Sequence, residues 1–158
     1  MTLIVQKFGG TSLATTDRIK NVAKRVARWK AQGYDVIVVP SAMSGETNRL
    51  IALAKAISDS PNPRELDVLA ATGEQVTIAL LAMAIQEEGF KAKSYTGPQV
   101  KVLTDSTFTK ARILKIDSER IQQDLTDGHV VIVAGFQGAD EHGDRREQEA
   151  GDPRDEDR

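Results

Sequence analysis

The segment Lys7-Phe8-Gly9-Gly10-Thr11-Ser12 has the residue types and spacing of an anion-binding loop. Glycines let backbone N–H groups come close to a phosphate, and a helix beginning just beyond them adds a favourable dipole. Lys7 supplies a compact cation suited to charge that develops on a phosphoryl group in transfer. The spacing matches neither GxxxxGK[ST] nor GxGxxG, so a Walker A loop and a dinucleotide fingerprint are both excluded. A plain glycine turn accounts for the same residues.

Two further segments have similar character. Ser41-Ala42-Met43-Ser44-Gly45-Glu46-Thr47-Asn48 carries hydroxyls and a glycine between an apolar run and a helical pattern. Ser44 or Thr47 could equally be an N-cap. Thr72-Gly73-Glu74-Gln75 puts a carboxylate inside an otherwise apolar helical region. That carboxylate suits a substrate ammonium group, or else faces solvent in the first turn of a new helix. Lys24, Arg25 and Arg28 read as the solvated face of the first helix. Asp105 and Asp117 read as turn or cap residues, and Arg145-Arg146 as an unspecific pair.

These segments need a scaffold, and the hydrophobic pattern describes one. Leu3 to Phe8 is a β-rich run ending at Gly9-Gly10. Ile19, Val22, Val26 and Trp29 recur at helical spacing, and Gly33 is placed to stop that helix. Val36 to Val39 is a continuous β-branched run, as in a strand buried on both faces, and Pro40 ends it. The order strand, glycine turn, helix, strand is a βαβ unit.

Leu50, Leu53, Ala54 and Ile57 mark a second helix, which Pro61 and Pro63 break. Leu66 to Glu88 is a long helical region in which Gly73 marks a break. Lys91 to Tyr95, Val100 to Leu103, Ile113 to Ile116 and Val130 to Ala134 are strand candidates. Ser118 is placed to cap a helix carrying Ile121 and Leu125. Such alternation predicts an α/β fold, a mostly parallel sheet with helices on both faces. In open sheets of this kind ligands bind beyond the carboxyl ends of the strands, so the first two loops should face one crevice.

Composition excludes several function classes. The chain has no cysteine and two histidines, so disulfides, thiolate metal sites and histidine-rich metal sites are not expected. Net charge is −2 and aromatics are scarce, which gives no reason to expect nucleic acid. MTLIVQKFGG lacks a signal-peptide layout, and no stretch reads as a membrane span of roughly 20 apolar residues. A soluble cytoplasmic protein is the expectation. From Asp140 to Arg158 the chain is dominated by Asp, Glu and Arg, so a domain over residues 1–139 and a disordered charged tail over 140–158 are expected.

Taken together, VQKFGGTS (5–12), VVPSAMSGETNRL (38–50), TGEQVTIALL (72–81), SYTGPQV (94–100), TDSTFTKARI (104–113) and VVIVAGFQG (130–138) resemble the aspartate kinases of the amino-acid kinase superfamily. The resemblance reaches to about Gly143. It implies a three-layer α/β/α sandwich of the carbamate kinase-like type. It also implies transfer of the γ-phosphoryl of ATP, taken up with Mg²⁺, to the side-chain carboxylate of L-aspartate, which opens the route to lysine, threonine and methionine. By motif, Lys7, Phe8, Gly9 and Gly10 would contact ATP phosphates, with Lys7 as catalytic charge stabiliser and Ser41 nearby. Thr47 and Glu74 would hold aspartate, and no residue is assigned to a metal. All these residues should converge on one crevice.

After GFQGADEHG the sequence departs from the family pattern, which continues into a glycine-rich loop. The expectation is a sheet incomplete on its C-terminal side with an exposed hydrophobic edge, and a site with reduced or no turnover. A non-catalytic remnant, a homo-oligomer and a module associating with a full-length kinase subunit are the alternatives.

Overall fold

Val36 to Val39 occupies the sheet interior that its unbroken apolar run demands. A computed structural model describes residues 2–96, 99, 103–104, 113–115, 119–134, 137–140 and 145–147. In it the run lies in β2 (Asp35–Pro40), paired in parallel with β1 (Leu3–Phe8) on one side and β6 (Val130–Val133) on the other. Strand β3 (Ala92–Tyr95) pairs in parallel with the far side of β6, giving the order β1-β2-β6-β3.

Alternation along these strands divides the side chains between two cores. Val36, Val38, Val130 and Ile132 join α1 (Thr16–Ala31) and α3 (Pro63–Glu87) on one face. Ile37, Val131, Val133 and Tyr95 join α4 (Glu119–Thr126) on the other. Helix, sheet and helix therefore form the three layers. Helix α2 (Glu46–Ile57) packs along α3 and buries Leu50.

β1 is an edge strand and is not buried on both faces. Leu3 and Val5 remain 49% and 59% exposed, so the apolar side chains left open here belong to the first strand and not to the C-terminal side where an exposed edge was expected. A six-residue β-rich run does not reveal how many neighbours its strand has.

Two readings of proline and glycine are corrected. Pro63 does not break a helix but starts one: it sits at the first position of α3, where its missing N–H costs nothing. Asn62 caps that end, its side chain accepting from the N–H groups of Arg64 (2.9 Å) and Glu65 (3.3 Å). Asn62→Ala should cost about 1 kcal/mol in thermal or urea unfolding. Gly73 does not interrupt α3, which runs unbroken for 25 residues. By length and composition α3 could cross a bilayer, contrary to the expectation that no stretch could. Here its inner face, with Ile78, Leu81 and Ile85, lies in the core, alongside buried Asp67 and Glu74.

The shorter segments form a second sheet in the order β5-β4-β7-β8, made of β4 (Leu103–Thr104), β5 (Ile113–Lys115), β7 (Gln137–Asp140) and β8 (Arg145–Glu147). β4 is antiparallel to β5 and parallel to β7, and β7 is antiparallel to β8. β7 crosses the expected boundary at 139/140, and β8 is strand where disorder was expected. A ladder is made by backbone groups, so polar residues can pair without an apolar face. The rest of the tail, residues 141–144 and 148–158, lies outside the described residues. So do Val100, Asp105, Ile116, Asp117 and Ser118.

The α4 layer is fastened by a polar contact. Asp124, 6% exposed, accepts a hydrogen bond from the Tyr95 hydroxyl, and Lys93 Nζ lies 3.5 Å from its other oxygen. Burial first, then the bond to Asp124, push the Tyr95 phenol above its usual range. The folded state therefore holds the phenolic proton more tightly than the unfolded chain. Its contribution is complete below pH ~10 and is lost as pH rises through the folded pKa. Tyr95→Phe should cost about 2 kcal/mol by leaving a buried acceptor short of its donor. It should also flatten the alkaline limb of stability against pH.

Candidate active site at the strand ends

β1 and β2 lie side by side and parallel, so the loops leaving their carboxyl ends emerge together. Phe8 pairs with Pro40, and the Ser41 N–H donates to the Phe8 carbonyl at 3.0 Å, which ties the second loop to the first. After Gly9 the chain makes a 3-10 turn, Gly10–Leu13, anchored by buried Leu13. The Arg18 guanidinium donates to the Thr11 carbonyl at 3.1 Å, and the Ser12 N–H to the Gly9 carbonyl at 3.2 Å.

Glycines set how closely the three segments approach. A Cβ on Gly10 would lie 3.1 Å from the Ala42 carbonyl oxygen and 3.3 Å from Ser44 N. A Cβ on Gly73 would lie 3.2 Å from the Ala42 side chain and 3.4 Å from Leu50. Buried Ala42 is thus gripped between the first loop and α3. Gly9 differs: it has an ordinary φ of −82°, and a Cβ there would meet nothing within 4 Å. Positions 10 and 73 leave little room for a side chain, whereas position 9 faces open space.

The capping explanation of the second loop does not hold. The N-cap of α2 is Gly45, in the left-handed conformation at φ 80°, so neither Ser44 nor Thr47 caps the helix. Thr47 stands half-buried in the first turn of α2, and Ser41 is half-buried at the end of β2. Glu46 is paired with Arg49 by contacts of 2.6 and 3.0 Å, and the hydrogen bond to Arg49 holds its carboxyl below the usual range. Glu74, one residue beyond Gly73, is 5% exposed and interior to α3. The solvent-facing alternative for Glu74 is therefore wrong: helix α3 is continuous there and turns this position inward.

Lys7 stands apart from that cluster. Phe8 packs into the core that holds α1 and α3, so alternation sends Lys7 to the opposite face of β1, with Leu3 and Val5. It is exposed, one residue before the strand end and opposite Val39. The loops that carry Gly9, Gly10 and Ser41 meet at one end of the sheet, and Gly73, the neighbour of Glu74, packs against Ala42 there. Lys7 leaves the other face of β1, so the expected convergence of all these residues on one crevice does not extend to it. Among the described residues no group of three His, Cys, Asp or Glu side chains could hold a metal ion.

Comparison with known proteins fits this architecture. A sequence model described as "Amino acid kinase family" matches residues 2–151. The chain belongs to the amino acid kinase family. It is 65% identical over 143 residues to an aspartate kinase of Stutzerimonas stutzeri, and 63% identical over 143 residues to one of Pseudomonas putida. Each alignment covers 90% of this chain and 35% of the relative. The chain thus spans about a third of the length of the curated relatives it matches. A crystal structure of an aspartate kinase from Synechocystis superposes with a TM-score of 0.74 at 45% identity, covering 87% of this chain and 22% of that one. E. coli aspartokinase III, solved with aspartate and ADP, superposes with a TM-score of 0.81 at 22% identity, covering 96% and 44%, and shares the fold.

Within this amino acid kinase fold, sequence reasoning missed two buried carboxylates. Asp67 is 1% exposed on α3, two turns before Glu74 and on the same face; the seven-residue spacing was the available signal. Asp124 was passed over because its partner, Tyr95, lies 29 residues away.

Proposed function

We propose that this chain carries the aspartate- and phosphate-binding end of an aspartate kinase site, for transfer of the γ-phosphoryl group of MgATP to the side-chain carboxylate of L-aspartate. The observation that carries the reading is the grip of Gly10 and Gly73 on Ala42, which unites three motif segments at adjacent parallel strand ends. The relatives' names supply the substrate.

Gly9 leaves open space where a phosphate can approach the backbone. Gly10 and Ser41 shape the walls of that space, and Phe8 ties them together through its carbonyl. Lys7 reaches the phosphoryl group from the other face of β1 by swinging its flexible four-carbon stem across the strand end. Glu74 takes the ammonium group of aspartate, with Thr47 beside it. The attacking carboxylate is already ionised at neutral pH, so the chemistry needs positioning and charge stabilisation and no general base. Magnesium would arrive with the nucleotide as MgATP, held by substrate phosphates, water and at most one or two carboxylates. On this reading the product, 4-phosphoaspartate, would feed lysine, threonine and methionine synthesis in the cytoplasm.

The test is calorimetric titration of the purified chain with aspartate and with MgADP, alongside hydroxylamine trapping of acyl phosphate. Saturable, weak binding of both ligands is expected, with trapped product far below that of a family-length relative. Absence of saturable binding of either ligand would sink the proposal.

A further inference from the structure

One strip of α1 has no part in the site just described. Arg18, Asn21, Arg25 and Arg28 follow one another at helical spacing and, with Ser12, line an open groove of about 450 Å³. Helix α1 carries six basic residues against one acid, Asp17, in a chain whose net charge is −2. Its arginines also differ from the other arginines whose side chains are described. Arg49 and Arg64 each hold a carboxylate, and Arg120 donates to the Gln99 carbonyl and lies over the Tyr95 ring. Arg25 and Arg28 have no carboxylate partner among the described residues, and Arg18 is bonded through one nitrogen to the Thr11 carbonyl.

Arg18 and Arg25 are separated by roughly 10 Å along the helix and Arg25 and Arg28 by about 4.5 Å. The Arg25 and Arg28 guanidiniums, on flexible stems about one helical turn apart, suit neighbouring anionic groups linked in series, because each can grip two oxygens at once. Asn21 and Ser12 add neutral hydrogen-bonding groups between and beside them.

We propose that this groove is a second anion site for a ligand carrying two or more linked phosphate groups. Arg25 and Arg28 are its main contacts, and Arg18 is shared with the glycine loop. The inference does not depend on the aspartate kinase reading. The groove lies along the outer side of α1, and its two main arginines are more than two turns from Gly9 and Gly10.

Trp29 is the chain's single tryptophan, four residues after Arg25, and its ring meets Tyr34 edge-on at 5.3 Å. Amide shifts along α1 read the groove directly, and the emission of Trp29, one turn from Arg25, is a second readout. Titration with inorganic tripolyphosphate should give a saturable response that weakens several-fold between low and moderate salt, as screening shortens. The double variant Arg25→Gln/Arg28→Gln should bind at least tenfold more weakly. Lys20→Gln/Lys55→Gln, which removes the same charge elsewhere, should change affinity less than twofold. Equal losses in the two double variants would reduce the groove to diffuse charge and overturn the proposal. So would a Gly9→Val variant that loses as much as the arginine pair, since the ligand would then sit at the strand ends. No saturable change in either readout also overturns it.

Discussion

Gly9→Val and Gly10→Val, two neighbouring substitutions of one type, should fail in opposite ways. At Gly10 a side chain is driven into the Ala42 carbonyl oxygen at 3.1 Å and Ser44 N at 3.3 Å. Both are backbone atoms of a loop clamped from behind by α3, so they cannot swing aside as a flexible side chain could. Gly10→Val should therefore destabilise the chain by about 3 kcal/mol, the upper range for overpacking a well-packed contact. At Gly9 the backbone is extended and no protein atom lies within 4 Å of a Cβ. Gly9→Val should leave unfolding within about 0.5 kcal/mol of the parent, as for a surface change. It should nonetheless weaken MgADP binding at least about tenfold, because a branched side chain keeps phosphate away from the backbone N–H groups. Urea unfolding and calorimetric titration of both variants check the pair. If Gly9→Val binds MgADP like the parent, the open space at position 9 is not a phosphate site. If Gly10→Val folds as stably as the parent, the grip on Ala42 is not what unites the loops.

How much of this was legible in the sequence follows from what each residue type can encode. Val36 to Val39 announced an interior strand because burial on both faces leaves no room for a polar position. The alternating strand and helix pattern likewise announced the layers. Gly73 was ambiguous: a helix break and a close helix–loop contact demand the same residue, and only Ala42 at 3.2 Å separates them. Pro63 was misread because a helix breaker and a first-turn proline are one residue; Asn62 immediately before it was the deciding neighbour. Leu3 to Phe8 was legible as a strand but not as an edge, because edge position depends on strand order, which is a property of the whole sheet. The site motifs were legible as loops of the right chemistry. The face from which Lys7 leaves β1 was not, since it depends on Phe8 packing into the core with α1 and α3.

Glu74→Gln should abolish the preference of the site for an amino acid. A carboxylate 5% exposed and inside a helix acts in surroundings where charge is poorly screened. An ammonium group brought against it makes a charge-assisted hydrogen bond worth about 1.5–3 kcal/mol. Converted at 1.4 kcal/mol per decade, that is an expected loss of roughly 10- to 150-fold in aspartate affinity. Glutamine keeps the shape and one acceptor oxygen while removing the charge. Succinate carries both carboxylates of aspartate without the ammonium, so the parent chain should bind it far more weakly, and Glu74→Gln should leave its affinity nearly unchanged. Comparing two ligands on one variant separates local chemistry from general loosening, because a damaged fold lowers both affinities together. Equal binding of succinate and aspartate by the parent would remove Glu74 from the ammonium role. An aspartate affinity that survives the substitution would do the same, and would move the search to Asp67, the other buried carboxylate on that face of α3.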